Sequence, residues 1–364
     1  MPFNEPLSFC PNRVWRCYTG GALLDRFTGA SPEKDGHEPE DWLASTVRAV
    51  NGAHSQGPDE GLARLRGAGD PPGPRFSDLL DAHATEILGR RHAARYGGNL
   101  AVLCKYLDSS VRLPIQCHPD RALAKTLYHS DYGKTECWYI LDTRTVDGQP
   151  PYLLMGFQPG VTRKAFAEAV AAQNVAAMER MLHKVHCRPG EMYFIPGRFP
   201  HAIGPGVFML ETQEPSDWVI QPERTCADTC LSDADMWGPL TPEQGLDVFD
   251  YTGLSADQML GRVLIKESPL SAAADGRITE LIGTGLTPAF AVQRAVITGT
   301  LTLALPRDFG IVVVADGQGV MSWSSGNKAI RRGDYFLVPA GCPSITCATR
   351  SGPLTLLVCL PPAT

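Results

Sequence analysis

Gln116, His118, Lys134 and Glu136 fall inside one stretch, RLPIQCHPDRALAKTLYHSDYGKTECWYI (residues 112–140), and each pair is spaced by two. In an extended strand, side chains at i and i+2 share a face. Gln116 and His118 therefore point to one place, and so do Lys134 and Glu136. A further imidazole, His201, sits in a second patterned segment, HCRPGEMYFIPGRFPHAIG. Imidazole, carboxylate and amide oxygen form a shell that suits zinc with a position left open for water or substrate. The same ligands also admit manganese, iron or cobalt. Singly, Gln116 or Glu136 reads as a surface or network group and either histidine as an ordinary one. The joint case rests on two beta segments supplying ligands at matching parity.

Other residues carry chemistry and have plain alternatives. Lys134 beside a metal ligand can stabilise a developing oxyanion, or pair with Asp131 or Asp142. Glu211 closes the apolar run VFMLET, ten positions after His201. It is either a general base tuned by limited solvation or the first polar residue after a strand. Ser216, Asp217 and Trp218 line an entrance or form a turn. Trp42, in EDWLASTVRAV, is a core or pocket residue. His37, His54 and His83 read as solvent-exposed, His183 and His186 as helix-end groups, and His129 as a turn residue near the site.

The elements that must position these groups are mostly strands. Asn99–Leu107, Val111–Cys117, Lys134–Asp142, Tyr152–Phe157, Glu191–Ile195 and Val207–Thr212 have strand texture. Residues 1–30 suggest a strand and turn, and 51–75 a Gly- and Pro-rich surface excursion. Helical patterns cover about 76–95 and 162–184, with a short helix over 120–128. Thr162 caps RKAFAEAVAAQ and Asn174 caps VAAMERMLHKV. From Gly261 the pattern is almost wholly beta (GRVLIKE, GRITELIG, AFAVQRAVITG, TLTLAL, GIVVVADG, DYFLVPAG, PLTLLVCL), which predicts a sandwich or barrel. RPGEMYFIPG (188–197) echoes RRGDYFLVPA (331–340), and continuing without a gap sets His201 opposite Ser344. Two related beta units follow, one able to hold a metal and one a metal-free copy.

Bulk properties narrow the class. The chain has 364 residues, 43% apolar and 20% charged, which fits two units of a globular protein. A net charge of −6 argues against a nucleic-acid partner, since no basic face is needed to account for the composition. No apolar run reaches membrane-spanning length. Eleven cysteines in irregular spacing, with no signal-peptide pattern at the start, fit reduced thiols in a cytoplasmic protein. Cys226 and Cys230 form a CxxxC pair that lacks the ligand count of a structural zinc site.

The segments WLAS, LPIQCHPD, YGKTECWYI, PGEMYFIPGRFPHAIGPGVFMLETQEPSDW and LTPEQGLDVFDYTG resemble those of type I phosphomannose isomerases, zinc enzymes of the cupin superfamily. The resemblance spans most of the chain. It implies a mainly β fold with helical insertions, built as a duplicated cupin (double-stranded β-helix, jelly-roll). It implies a catalytic domain over 1–222, a connecting segment over 223–260 and a degenerate cupin without metal over 261–364. It also implies one zinc ion held by Gln116, His118, Glu136 and His201, with Lys134 and Glu211 catalytic, a monomer, and interconversion of mannose 6-phosphate and fructose 6-phosphate.

Two positions depart from that pattern. A serine that holds the sugar phosphate in the family is Pro114 here, and an arginine after the SD motif is Gln221. Proline has neither hydroxyl nor N–H and glutamine is neutral, so both changes remove phosphate-binding features. Lys105, Arg112, Arg198 or Arg224 are the candidates to compensate, Arg198 foremost because it precedes His201. Arg198, Gln221 and Trp42 are accordingly the substrate-binding candidates. The readings open at this point are a sugar-phosphate isomerase, an isomerase of an unphosphorylated or differently substituted sugar, and a non-catalytic sugar-binding cupin.

Overall fold

A computed structural model describes residues 3–67 and 72–364. Residues 68–71 of the expected 51–75 excursion, and 1–2 of the expected N-terminal strand, lie outside it. Two six-stranded antiparallel sheets organise the chain. The first runs, in spatial order, Arg13–Val14, Glu40–Leu43, Leu103–Ser109, Val207–Gln213, Glu136–Thr143, Met192–Ile195. A three-stranded sheet of Leu182–Val185, Leu153–Phe157 and His201–Ile203 faces it. The second large sheet runs Ser268–Ala273, Gly276–Ile282, Ala291–Ile297, Leu354–Leu360, Gly310–Asp316, Tyr335–Val338, opposite a four-stranded sheet. This is the duplicated jelly-roll, mainly β with helical insertions, that the strand patterns and the resemblance imply.

Period-two alternation does the sorting. Along Val207–Gln213, Val207 and Met209 enter the interior of the first unit, while Phe208 and Leu210 point out of it. Those outward residues join Cys104, Tyr106, Cys137 and Tyr139 from neighbouring strands. They pack against Val292, Ile311, Val313, Leu357 and Cys359 from the second large sheet. The two large sheets thus meet back to back, each with its own interior on the far side.

The internal echo has a structural counterpart. Met192–Ile195 and Tyr335–Val338 each end a six-stranded sheet. Each is entered through a glycine with positive φ, Gly190 at 92° and Gly333 at 91°. The Glu191 carboxylate accepts from Arg188 N at 2.9 Å, and the Asp334 carboxylate accepts from Arg331 N at 2.9 Å. His201 and Ser344 each open the strand that follows.

Several boundaries differ from expectation. Val111–Cys117 is no regular strand: Pro114 has no N–H, and the segment alternates between partners. Leu113 and Gln116 bond to Ile203 and His201, Ile115 N to Glu223, and Cys117 to Ile220. The helical segment over 162–184 ends early. Thr162 and Asn174 cap Arg163–Ala171 and Val175–Arg180 as expected, but Leu182–Val185 pairs with Leu153–Phe157 as a strand. Gly89 divides the 76–95 helix into Phe76–Leu88 and Arg90–Tyr96, at a φ of 84°. GRVLIKE is not a strand, because the capping box of Ser255 and Gln258 starts a helix, Ala256–Val263, that covers its first residues. Helix Ala22–Thr28 occupies part of the N-terminal stretch read as strand and turn. Among the described residues no helix is long and apolar enough to cross a membrane, and all eleven cysteines are free thiols.

Candidate active site

His118, Glu136 and His201 converge in the interior of the first unit, with ligand atoms all within 4.8 Å of one another. Glu136 opens its strand. His201 opens the facing strand, and its backbone exchanges hydrogen bonds with Gln116 in both directions. Sequence parity therefore holds: Gln116 and His118 face the site while Cys117 between them enters the core. Glu136 Oε2 lies 3.6 Å from His118 Nε2, and Oε1 lies 3.4 Å from His201 Nε2.

The histidines are held in the form a metal needs. Nδ1 of His118 meets the Trp218 carbonyl and Nδ1 of His201 the Phe199 carbonyl, both at 2.8 Å. A proton on each Nδ1 leaves each Nε2 lone pair directed at the cluster. Burial, then the charge of Lys134 and the neighbouring imidazole, holds His118 well below its ordinary pKa. Burial pushes His201 down to about 3. Both rings are neutral at neutral pH. His201 Nε2 is buried and has no hydrogen-bond partner among the described residues, a costly state for a ring nitrogen unless a ligand claims it. The Gln116 side chain lines the same cavity. These donors fit a divalent cation.

The second layer is a row of paired charges. Lys134 Nζ bonds Glu136 Oε2 at 2.8 Å and His118 Nε2 at 2.9 Å, and reaches to 3.7 Å from Glu211 Oε1. Lys105 Nζ lies 3.3 Å from Glu211 Oε2 and 3.5 Å from Glu40 Oε2. Arg16 continues the row, 3.1 Å from Glu40 and 3.2 Å from Asp217. Burial, then the charge of Glu136, pushes the Glu211 carboxyl up to about 8, against the pull of Lys105 and Lys134. A carboxyl poised there exchanges protons near neutral pH. Burial acts on Glu40 in the same direction, but Arg16, Lys105 and hydrogen bonds from Tyr18 and Trp42 hold it well below the carboxylate range. The two carboxyls thus differ: Glu211 holds its proton more tightly than an ordinary carboxyl, and Glu40 stays charged.

The cavity over this cluster is about 300 Å³. Gln221 lines it, with Nε2 donating to the Asp235 carbonyl at 3.1 Å. Trp42 does not line it. Fully buried, it donates Nε1–H to Glu40 at 2.6 Å and lies under Arg16 and Lys105 at 5.1 and 5.9 Å. Arg198 does not reach the cavity either: its guanidinium turns to the carbonyls of Val248 and Asp247. Among the compensators, Lys105 lines the cavity, whereas Arg112 pairs with Glu223 and Glu179 and Arg224 with Asp233. Asp217 and Trp218 line the cavity. His54 does too, exposed as expected but stacked on Trp15 at 4.2 Å.

Arg16, Tyr18 and Glu40 also line the cavity and were not expected from the sequence. Parity reaches one of them, because Glu40 stands two before Trp42. Arg16 and Tyr18 carry no spacing signal, since the irregular chain after Arg13–Val14 delivers them. The wall formed by Leu231, Ala234, Asp235, Gly238 and Pro239 comes from beyond residue 222, in the stretch read as a connector.

No protein-family profile matches the chain. YvyI of Bacillus subtilis, which bears the mannose-6-phosphate isomerase name, is 26% identical over 367 residues, covering 98% of each chain. The B. subtilis mannose-6-phosphate isomerase ManA is 24% identical over 353 residues, covering 93% of this chain and 94% of its own. The crystal structure of the B. subtilis mannose 6-phosphate isomerase superposes with a TM-score of 0.74 at 23% identity, covering 98% of this chain and 99% of that one. That superposition speaks to the fold.

Proposed function

Because the chain belongs to the mannose-6-phosphate isomerase family, we propose that it is a metal-dependent aldose–ketose isomerase interconverting mannose 6-phosphate and fructose 6-phosphate. The observation that carries the reading is Glu211, buried and raised into the neutral range, beside Lys134 and the His118, Glu136, His201 cluster. A sugar-binding protein without turnover has no need of a carboxyl so placed.

Gln116, His118, Glu136 and His201 would hold the ion, zinc by donor type. When bound, it supplies positive charge that polarises the sugar oxygens. The remaining chemistry belongs to side chains. Glu211 takes the proton from C2 of the aldose, the electron pair moves into the C1–C2 bond, and an enediol results. Lys134 holds the oxygen charge that develops and carries the proton that passes between the two oxygens. Glu211 returns its proton to C1, giving the ketose. Lys105 keeps Glu211 in place, while Glu40, anchored by Arg16 and Trp42, keeps Lys105.

The same reading makes 1–222 the catalytic unit, 223–260 a connector that also walls the cavity, and 261–364 a unit without metal. It describes a cytoplasmic, monomeric enzyme.

One observation favours a second reading, in which the sugar is unphosphorylated. Arg16, Lys105 and Lys134, the Lys and Arg residues of the cavity wall, are each already paired with carboxylates. Near Pro114 and Gln221 the wall is neutral or acidic, with Leu113, Leu231, Pro239 and Asp235. A phosphate dianion ordinarily claims an unpaired guanidinium or ammonium. Comparing kcat/KM for mannose 6-phosphate and free mannose on metal-loaded protein separates the two. Preference for the phosphate supports the first, turnover of the free sugar alone the second, and turnover of neither rejects the isomerase.

A further inference from the structure

A second cavity, of about 230 Å³, lies on the reverse side of the strands that build the active site. On Glu40–Leu43 and Leu103–Ser109, Glu40 and Lys105 face the catalytic cavity. Their neighbours Asp41 and Tyr106, opposite one another in the ladder, face this one. Its other walls come from the N-terminal part of the chain, with Ser8, Phe9, residues 28–30 and Arg66, and from Lys328, Arg331, Asp334 and Tyr335 of the second unit.

The lining has two chemical ends. At the rim, among the described residues, neither Lys328 nor Arg331 forms an ion pair. Lys328 Nζ donates to Ser8 Oγ at 3.0 Å, and Asp334 spends an oxygen on the Arg331 backbone N–H rather than on its guanidinium. At the floor, Tyr106 is wholly buried, and its hydroxyl has no hydrogen-bond partner among the described residues. The Tyr335 hydroxyl is buried and unpartnered as well. Asp41 is 5% exposed and engages the Asn12 N–H through Oδ1. Buried phenol hydroxyls ordinarily find partners, so two orphans in one cavity mark a place for a ligand.

We propose that this cleft binds a small hydroxylated anion of the sugar-phosphate class, with its acidic group between Lys328 and Arg331 and its hydroxyls on Asp41, Tyr106 and Tyr335. Guanidinium and ammonium supply charge-assisted donors to the anion. The carboxyl and phenols supply the donors and acceptors that sugar hydroxyls need. The ligand would rest on the backs of the two strands whose front faces carry Glu40 and Lys105.

The test is calorimetric titration of full-length, metal-loaded protein with glycerol 3-phosphate, a hydroxylated phosphate monoester. Wild type is expected to bind, and the Lys328→Ala/Arg331→Ala pair, which touches only exposed groups, to bind at least about tenfold more weakly. Tyr106→Phe is expected to weaken binding by about threefold or more, while the Lys328/Arg331 pair keeps its isomerisation rate. No binding at millimolar ligand overturns the proposal. So does binding that the double substitution leaves unchanged, because the ligand would then sit in the catalytic cavity.

Discussion

Glu136 pairs with Ile195 across the last two strands of the first large sheet, and in the second large sheet Gly310 pairs with Val338 at the corresponding place. Two residues on, Trp138 lies opposite Glu211, whereas Val312 lies opposite Val358. One strand further, Glu211 faces Lys105, and Val358 faces Gln293. His201 opens the strand whose counterpart opens with Ser344. The same frame thus carries Glu136, Glu211, Lys105 and His201 in one unit, and Gly310, Val358, Gln293 and Ser344 in the other. The second interior is filled with Val312, Val314, Leu356 and Val358 instead. A jelly-roll interior accepts either content. The polar one is tolerable because every buried charge in it has a partner, and the apolar one contributes through burial alone.

The largest effects belong to the ligand positions. His201→Ala is expected to lose stoichiometric metal and, with it, at least about a hundredfold in turnover. Ser344→His, at the matching place, should add no metal, because Gly310 offers no carboxylate beside it. Metal analysis of the purified variants checks both, and a gain of metal in the second would break the comparison.

Next comes Val358→Glu, which copies Glu211 into an interior without Lys105 or Lys134. A buried carboxylate lacking cations should cost more than about 3 kcal/mol, read from denaturant unfolding. If the variant were as stable as wild type, the pairing argument for the first unit would fail.

The smallest effect concerns Asp41, on the sheet face between the units. Burial raises its folded pKa to about 6 from an ordinary 3.8. In that window the folded state binds more protons than the unfolded state, so stability falls as pH rises from near 4 to about 6 and is level above. Asp41→Asn removes that loss and should be more stable at pH 7 by about 1–3 kcal/mol. Thermal unfolding of both proteins across pH 4–8 checks the sign.

Much of the site was legible because strands translate spacing into direction. Gln116 and His118 keep that parity through the bridge of Gln116 to His201, although their segment is irregular, and the same rule applied to Trp42 points to Glu40, whereas Arg16 carries no spacing signal. Lys134 reaches the cluster although it precedes the strand it was assigned to. Arg198 misled because adjacency to His201 in sequence does not fix direction. Its backbone is left-handed, at φ 71°, and its side chain leaves toward Val248. The wall at Leu231–Pro239 was illegible, since short capped helices such as Asp233–Trp237 carry no signal of what they cover. The duplicated fold was readable from the 188–197 and 331–340 echo. Its back-to-back packing rests on residues alternating out of both sheets, which a strand pattern buried on two faces conceals.

Glu211 as the carrier of the proton is open to a direct test. The most direct measurement is isomerisation in deuterium oxide by metal-loaded wild type and Glu211→Gln, with metal content determined on the same samples. Deuterium is expected at C2 of the aldose product formed from the ketose by wild type. A loss of about a hundredfold or more in rate is expected for Glu211→Gln at unchanged metal content. Equal rates and equal deuterium incorporation in the two proteins would contradict it.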